Sequence, residues 1–348
     1  MSARVYLDWN ATAPLRPEAR AAMAEAMDVV GNPSSVHAEG RAARALVERA
    51  RAQVAEATGC LAGEVVFTSG ATEAAAMALA GRGYAGSALE HPCVAGWIEP
   101  SLPVDPRGRV AVSDPGASVL QAANSETGIV QELPEGLACI DAVPAVGRIP
   151  FGFDWTRART ALVAAHKLGA PKGVGALLLA PGVEIAPVSR GGGQEMRRRP
   201  GTENVIGIAA FGAAIAAAAA DLARGVMDEV AEVRNILEEA LVSASETTIL
   251  VGKAERRLPN TSFVATPGWA GETQVMQMDL AGFAVSAGSA CSSGKVKASG
   301  VLTAMGYGPE VATSVVRLSI GPATTREEVL AFAGAWERQY RRFRTRAA

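Results

Sequence analysis

Lysine is scarce in this chain: of 33 basic residues only Lys167, Lys172, Lys253, Lys295 and Lys297 are lysines, so each can be weighed as a candidate amine nucleophile. Excess charge of one sign is also missing. A formal net charge of −2 implies no surface selected for nucleic acid or an anionic membrane. The four cysteines, Cys60, Cys93, Cys139 and Cys291, form no CxxC pair and have no histidine at metal-ligand spacing, which argues against a zinc site and a disulfide framework; no metal is expected. The longest apolar run, residues 205–220, is short of the ~20 residues of a membrane span and reads as a buried helix. Arg4 is the only early cation, and Asp8 and Asn10 follow it before any apolar stretch, so no signal peptide is read and the cytoplasm is expected.

What is present reads as a globular enzyme or binding protein. A length of 348 residues suggests more than one domain: an N-terminal segment 1–14, a large domain 15–225 and a smaller domain 226–348. A strand is expected at 5–7. A long amphipathic helix follows, capped by Ser34 or Ser35 and ended by Gly59. Short apolar runs at 65–68, 87–89, 119–123, 137–140 and 160–165 read as buried strands of a mostly parallel α/β sheet. Between Glu126 and Asp141 only 14 residues remain, Pro134 and Gly136 among them, so that crossover is expected to lack a helix. Beyond 226 come a charged amphipathic helix, isolated strands at 261–265 and 315–320, and a terminal helix from Thr325 with an arginine-rich, solvated end.

In open α/β sheets, ligands gather outside the carboxyl ends of the strands. After these runs stand Ser69-Gly-Ala-Thr72, Glu90-His91, Asn124-Ser125-Glu126, Asp141 and His166-Lys167. The first is a small-residue turn entering a helix, where free amides and the Thr72 hydroxyl make an anion site suited to phosphate. Asp141 at a strand end needs a cationic or hydrogen-bonding partner, such as a pyridinium nitrogen. Lys167 in a cleft has the chemistry for a Schiff base. A phosphate cradle, a carboxylate and a lysine together match what pyridoxal phosphate requires. Cys291 sits in a Gly- and Ser-rich stretch too small and flexible for a core.

These and further motifs carry a resemblance. Leu7-Asp-Trp-Asn-Ala-Thr12, Gly31-Asn-Pro-Ser-Ser35, Phe67-Thr-Ser-Gly-Ala-Thr-Glu73, Asn124-Ser-Glu-Thr-Gly128, Asp141-Ala142, Arg199-Pro-Gly-Thr202, Gly288-Ser-Ala-Cys-Ser292 and Arg317-Leu-Ser319 stand in order along the chain. With Glu90-His91 and His166-Lys167, they resemble the cysteine desulfurases of the class V aminotransferase superfamily. The resemblance implies a fold-type I pyridoxal-phosphate transferase and a homodimer that takes sulfur from L-cysteine as a persulfide. Lys167 would hold the cofactor and move the substrate α-proton, Asp141 would face the ring nitrogen, and His91 would stack on the ring. Ala71, Thr72 and His166 would hold the phosphate, with Thr202 adding a contact from the partner chain. Arg317 and Ser125 would meet the substrate, and Cys291 would attack its sulfur. The sulfur would pass to an acceptor or scaffold protein, for iron–sulfur cluster assembly or another thiolation. Selenocysteine lysis, transamination and a non-catalytic scaffold stand as alternatives.

Three positions depart from the family pattern: Ala164 replaces a serine, Pro144 a glutamine and Ser125 an asparagine.

Overall fold

The computed structural model describes residues 4–288 and 298–347; Cys291 lies outside them. The strands are β1 (Val5–Tyr6), β2 (Val65–Thr68), β3 (Val119–Gln121), β4 (Cys139–Asp141), β5 (Thr160–Ala164), β6 (Gly175–Leu179), β7 (Ile249–Leu250), β8 (Thr261–Ala265), β9 (Phe283–Ala284), β10 (Ser286–Ala287) and β11 (Val315–Ser319). The α-helices are α1 (Pro17–Met27), α2 (Ala38–Thr58), α3 (Ala71–Leu79), α4 (Pro92–Ala95), α5 (Phe153–Thr156), α6 (Val205–Ala223), α7 (Val226–Ala244), α8 (Gly271–Leu280), α9 (Gly300–Ala304), α10 (Pro309–Ala312) and α11 (Arg326–Ala347).

The larger sheet runs β2-β6-β5-β4-β3. β6 is antiparallel to both of its neighbours, while the other four strands share one direction. Their carboxyl ends therefore meet at one edge, with Gln121, Asp141 and Leu162 in register across it. Every residue of these strands is buried, as expected for a sheet covered on both faces. One face packs on α2 and α6 through Val47, Ala50, Val54, Phe211 and Ile215. The helices cross closely because residue 212 is glycine: a Cβ there would lie 2.6 Å from the Ala50 Cα. α6 is long and apolar enough for a bilayer, yet one face of it is packed into this core, and Arg16 pairs with its Asp221 at 2.6 Å.

A second, antiparallel sheet runs β10-β11-β8-β7. The runs expected as isolated strands are neighbours in it, with Arg317 opposite Phe263. Its core gathers Trp269, Phe332 and Trp336, and also Leu7 from the start of the chain, because β1 pairs in parallel with β9.

Two local expectations are corrected. Neither Ser34 nor Ser35 caps α2: the Ser34 and Ser35 amides donate to the Asn32 side chain and carbonyl, closing a turn, and the helix starts later with His37 accepting from the Gly40 amide. Residues 87–89 form no strand, since the Ser87 hydroxyl takes the Leu89 amide at 3.2 Å and curls the backbone toward Glu90. The short crossover behaves as read: residues 127–138 form no helix and bridge instead from Val130 to Ala123 and from Ile129 to Arg257.

Candidate active site

The turn after β2 brings Gly70 into a positive φ of 156° and opens α3 at Ala71. A Cβ on Gly70 would meet nothing within 4 Å, so the space before the helix is open. Beneath it, a Cβ on Gly175 would lie 2.7 Å from the Gly70 Cα, so only glycine lets β6 pass this close. The first-turn amides at Ala71 and Thr72 have no intrahelical acceptor, and none serves them elsewhere among the described residues. This is a cradle for an anion, and Thr72 stands exposed at its rim.

Asp141, 3% exposed, accepts the Val143 amide at 3.0 Å through Oδ1; its Oδ2 has no donor among the described residues. Burial pushes this carboxyl up to about 6, against the pull of Lys167. A cationic N–H at Oδ2 would offset that desolvation. Glu90 lies nearby: burial, and then Asp141, push it up to about 8, and its Oε2 has no partner among the described residues.

Lys167 closes a short 3-10 turn after β5. Its Nζ donates to the carbonyls of Asn10 and Ala11, the latter at 3.1 Å. Burial, then Arg148 and Arg317, bring the amine down to about 8, so far more of it is neutral near pH 7 than of an ordinary lysine. His166 contacts the Thr12 hydroxyl at 3.3 Å, and burial with Lys167 nearby holds it down to about 4. Burial, then Lys167 and Arg317, lower His91 too. The His91 Nδ1 accepts the Cys93 amide at 3.2 Å and lies 3.0 Å from the Cys93 sulfur, which leaves the ring proton on Nε2. Burial pushes the Cys93 thiol up to about 12, so it stays protonated.

Arg317, on β11 of the second sheet, is held by Asp8 at 2.9 Å and donates to the Ser125 carbonyl at 3.3 Å. Its Nε is buried without a partner among the described residues. Lys167, Asp141, His91, His166 and Arg317 thus converge on the crevice at the strand ends. The Ser125 carbonyl accepts from both Asn10 and Arg317. Thr202 is exposed, on a segment fastened to α3 by the Arg199–Glu73 pair at 2.9 Å. Ala164 is a buried strand end, and the Pro144 carbonyl accepts from Arg148 at 2.9 Å.

Sequence reasoning gave no role to four further residues, although it set Glu126 among those at the strand ends. Asp8 orients Arg317, and Asn10 ties Ser125 to Thr261. Glu126, pushed up to about 7 by burial, accepts from Ser299 at 2.9 Å. Arg148 donates to the Lys167 carbonyl at 3.3 Å. Asp8 and Asn10 stand in the first matched motif, which was the available signal; Arg148 had none.

An anion cradle, a buried carboxylate and a lysine of lowered basicity along one sheet edge define a pyridoxal-phosphate enzyme, and the free Asp141 oxygen and open α3 terminus fit that group. The chain belongs to the class V aminotransferase family, whose model matches residues 5–91 and 114–332. It is 35% identical to a cysteine desulfurase IscS of Dictyoglomus turgidum, over 99% of this chain and 96% of that one. It is 38% identical to a cysteine desulfurase of Cereibacter sphaeroides, over 94% and 93%. Among solved structures it is similar to a NifS-like protein of Rickettsia africae, with a TM-score of 0.87 and 29% identity over 97% of this chain and 99% of that one.

Proposed function

We propose that this chain is a pyridoxal-phosphate-dependent cysteine desulfurase, converting L-cysteine to L-alanine and moving the sulfur onto Cys291 as a persulfide. The observation that carries the reading is the convergence of Lys167, Asp141, His91 and Arg317, drawn from two sheets, beside an anion cradle. Near-full-length identity to cysteine desulfurases supports it.

When bound, pyridoxal phosphate supplies an electron sink for the carbon next to the substrate amine. Thr72, the Ala71 amide and His166 hold its phosphate, and Asp141 holds a proton at its ring nitrogen. Arg317 takes the substrate carboxylate with its planar fork. Lys167 Nζ would move the α-proton, and His91, with its ring proton on Nε2, would pack against the ring. The Cys291 sulfur bonds to the substrate sulfur as the carbon–sulfur bond breaks; a proton delivered to the freed carbon gives alanine.

We further infer a homodimer in which Thr202 serves the partner's cradle, a cytoplasmic location, and a protein acceptor that draws the persulfide into iron–sulfur cluster assembly or another thiolation. Domains 15–225 and 226–348 after an N-terminal segment 1–14 are supported by the cores around Val47 and around Trp269, while a further cluster of Leu89 and Ile129 with Phe263 and Leu302 runs across the division.

The test is the absorption spectrum before and after L-cysteine, with alanine and sulfide quantified in wild type and Cys291→Ala. A near-visible cofactor band and alanine formation lost in the variant support the reading. A colourless protein, inert after cofactor is supplied, would sink it. Selenide release from selenocysteine that survives Cys291→Ala would favour a lyase.

A further inference from the structure

Lys167, Arg148, Ala218 and Ile320 stand around a cavity of about 220 Å³. Trp9, Leu15, Leu168, Met227, Ile320 and Pro322 give it apolar walls; of the cations that line it, Arg16 is paired with Asp221 and the Lys167 amine donates to the Asn10 and Ala11 carbonyls, which leaves Arg148. Arg148 is 7% exposed and pairs with no carboxylate among the described residues. Asp221, the acid on neighbouring α6, is occupied by Arg16 and Arg224, each at 2.6 Å. Two of the five guanidinium donors serve neutral carbonyls, Pro144 and Lys167, and Nε serves none among the described residues. A buried guanidinium without a counter-ion is costly, and its fork suits a carboxylate.

We propose that this cavity binds a small aliphatic carboxylate, its charged end on Arg148 and its tail on Trp9, Leu15 and Ile320. The ligand would sit against Lys167, the residue that carries the catalytic amine. The site rests on the cavity and Arg148 alone, so its failure leaves the desulfurase reading untouched, and the converse holds too.

Calorimetric titration of the cofactor-loaded protein with isovalerate, and with isoamyl alcohol as its uncharged counterpart, tests the site. The carboxylate should bind at least tenfold more tightly than the alcohol, and Arg148→Met should abolish that preference. Equal binding of the two probes to wild type overturns the proposal. So does a preference that survives Arg148→Met and is displaced by L-cysteine, because the carboxylate then sits on Arg317. Ala323→Trp, at the exposed mouth with Arg148 intact, should weaken isovalerate at least fivefold; unchanged affinity also overturns it.

Discussion

Arg317 and Asp8 stand 309 residues apart in sequence and 2.9 Å apart in space. Asp8 also accepts from Ser286 at 2.7 Å, so its carboxylate is itself held and aims one edge of the guanidinium. Asp8→Asn keeps the shape and removes the charge. The expected outcome in steady-state assays is a KM for L-cysteine raised about tenfold, with kcat within about twofold, because uniform substrate binding is what is lost. A lowered KM would mean that Asp8 competes with substrate rather than orienting its arginine.

Glu90 makes stability depend on pH. Its carboxyl moves from 4.5 up to about 8 on folding, so between those values the folded chain holds a proton that the unfolded chain releases. Its contribution is present at acid pH and is lost as pH rises through about 8. Glu90→Gln should therefore match wild type near pH 5 and gain on the order of 2 kcal/mol near pH 8.5. Urea unfolding at both values checks it. Because Glu90 and Asp141 interact, the titration belongs to the pair. A difference that does not change with pH would refute the assignment.

Glu195 holds the segment that leads to Thr202. It takes Arg51 at both carboxylate oxygens, each at 2.8 Å, and the Phe67 amide at 2.9 Å, while the Arg51 guanidinium lies 4.8 Å over the Phe67 ring. The backbone at Glu195, Met196 and Arg197 is left-handed, with φ of 48°, 54° and 66°, a conformation the anchor must maintain. Glu195→Ala leaves the buried Arg51 guanidinium with the exposed Glu48, at 3.2 Å, as its one remaining carboxylate among the described residues, strands the Phe67 amide, and should cost about 3 kcal/mol. Thermal unfolding would show it, and a melting temperature within about a degree of wild type would not be compatible with this anchoring role.

Ala164 ends β5, buried, two residues before His166. A hydroxyl here would add a donor toward the cradle. Ala164→Ser is expected to tighten cofactor binding about tenfold, roughly 1.4 kcal/mol, in a fluorescence titration of cofactor-free protein. Unchanged or weaker affinity would show that the cradle is complete without it.

The strands at 65–68 and 160–164 were legible because strands buried on both faces read as unbroken apolar runs closed by a polar residue. The same logic failed at 87–89, where one serine hydroxyl captured a neighbouring amide, and at the start of α2, where Asn32 took the serines expected to cap it. β6 shows that an apolar run carries no direction: its antiparallel course depends on partners far away in the chain.

By itself the sequence determined the chemistry on offer: an amine at Lys167, a carboxylate at Asp141, imidazoles at His91 and His166, a fork at Arg317, and an anion-binding turn before α3. These are properties of residue type and local spacing. Tertiary structure alone decided their ionisation and their aim. Burial lowers the Lys167 amine to about 8 and lifts Glu90 to about 8. Asp8 meets Arg317, and Arg148 is left without a carboxylate beside a cavity. The physical reason is that desolvation and charge pairing depend on what lies within a few ångströms, and neighbours hundreds of residues apart become neighbours only when the sheets pack.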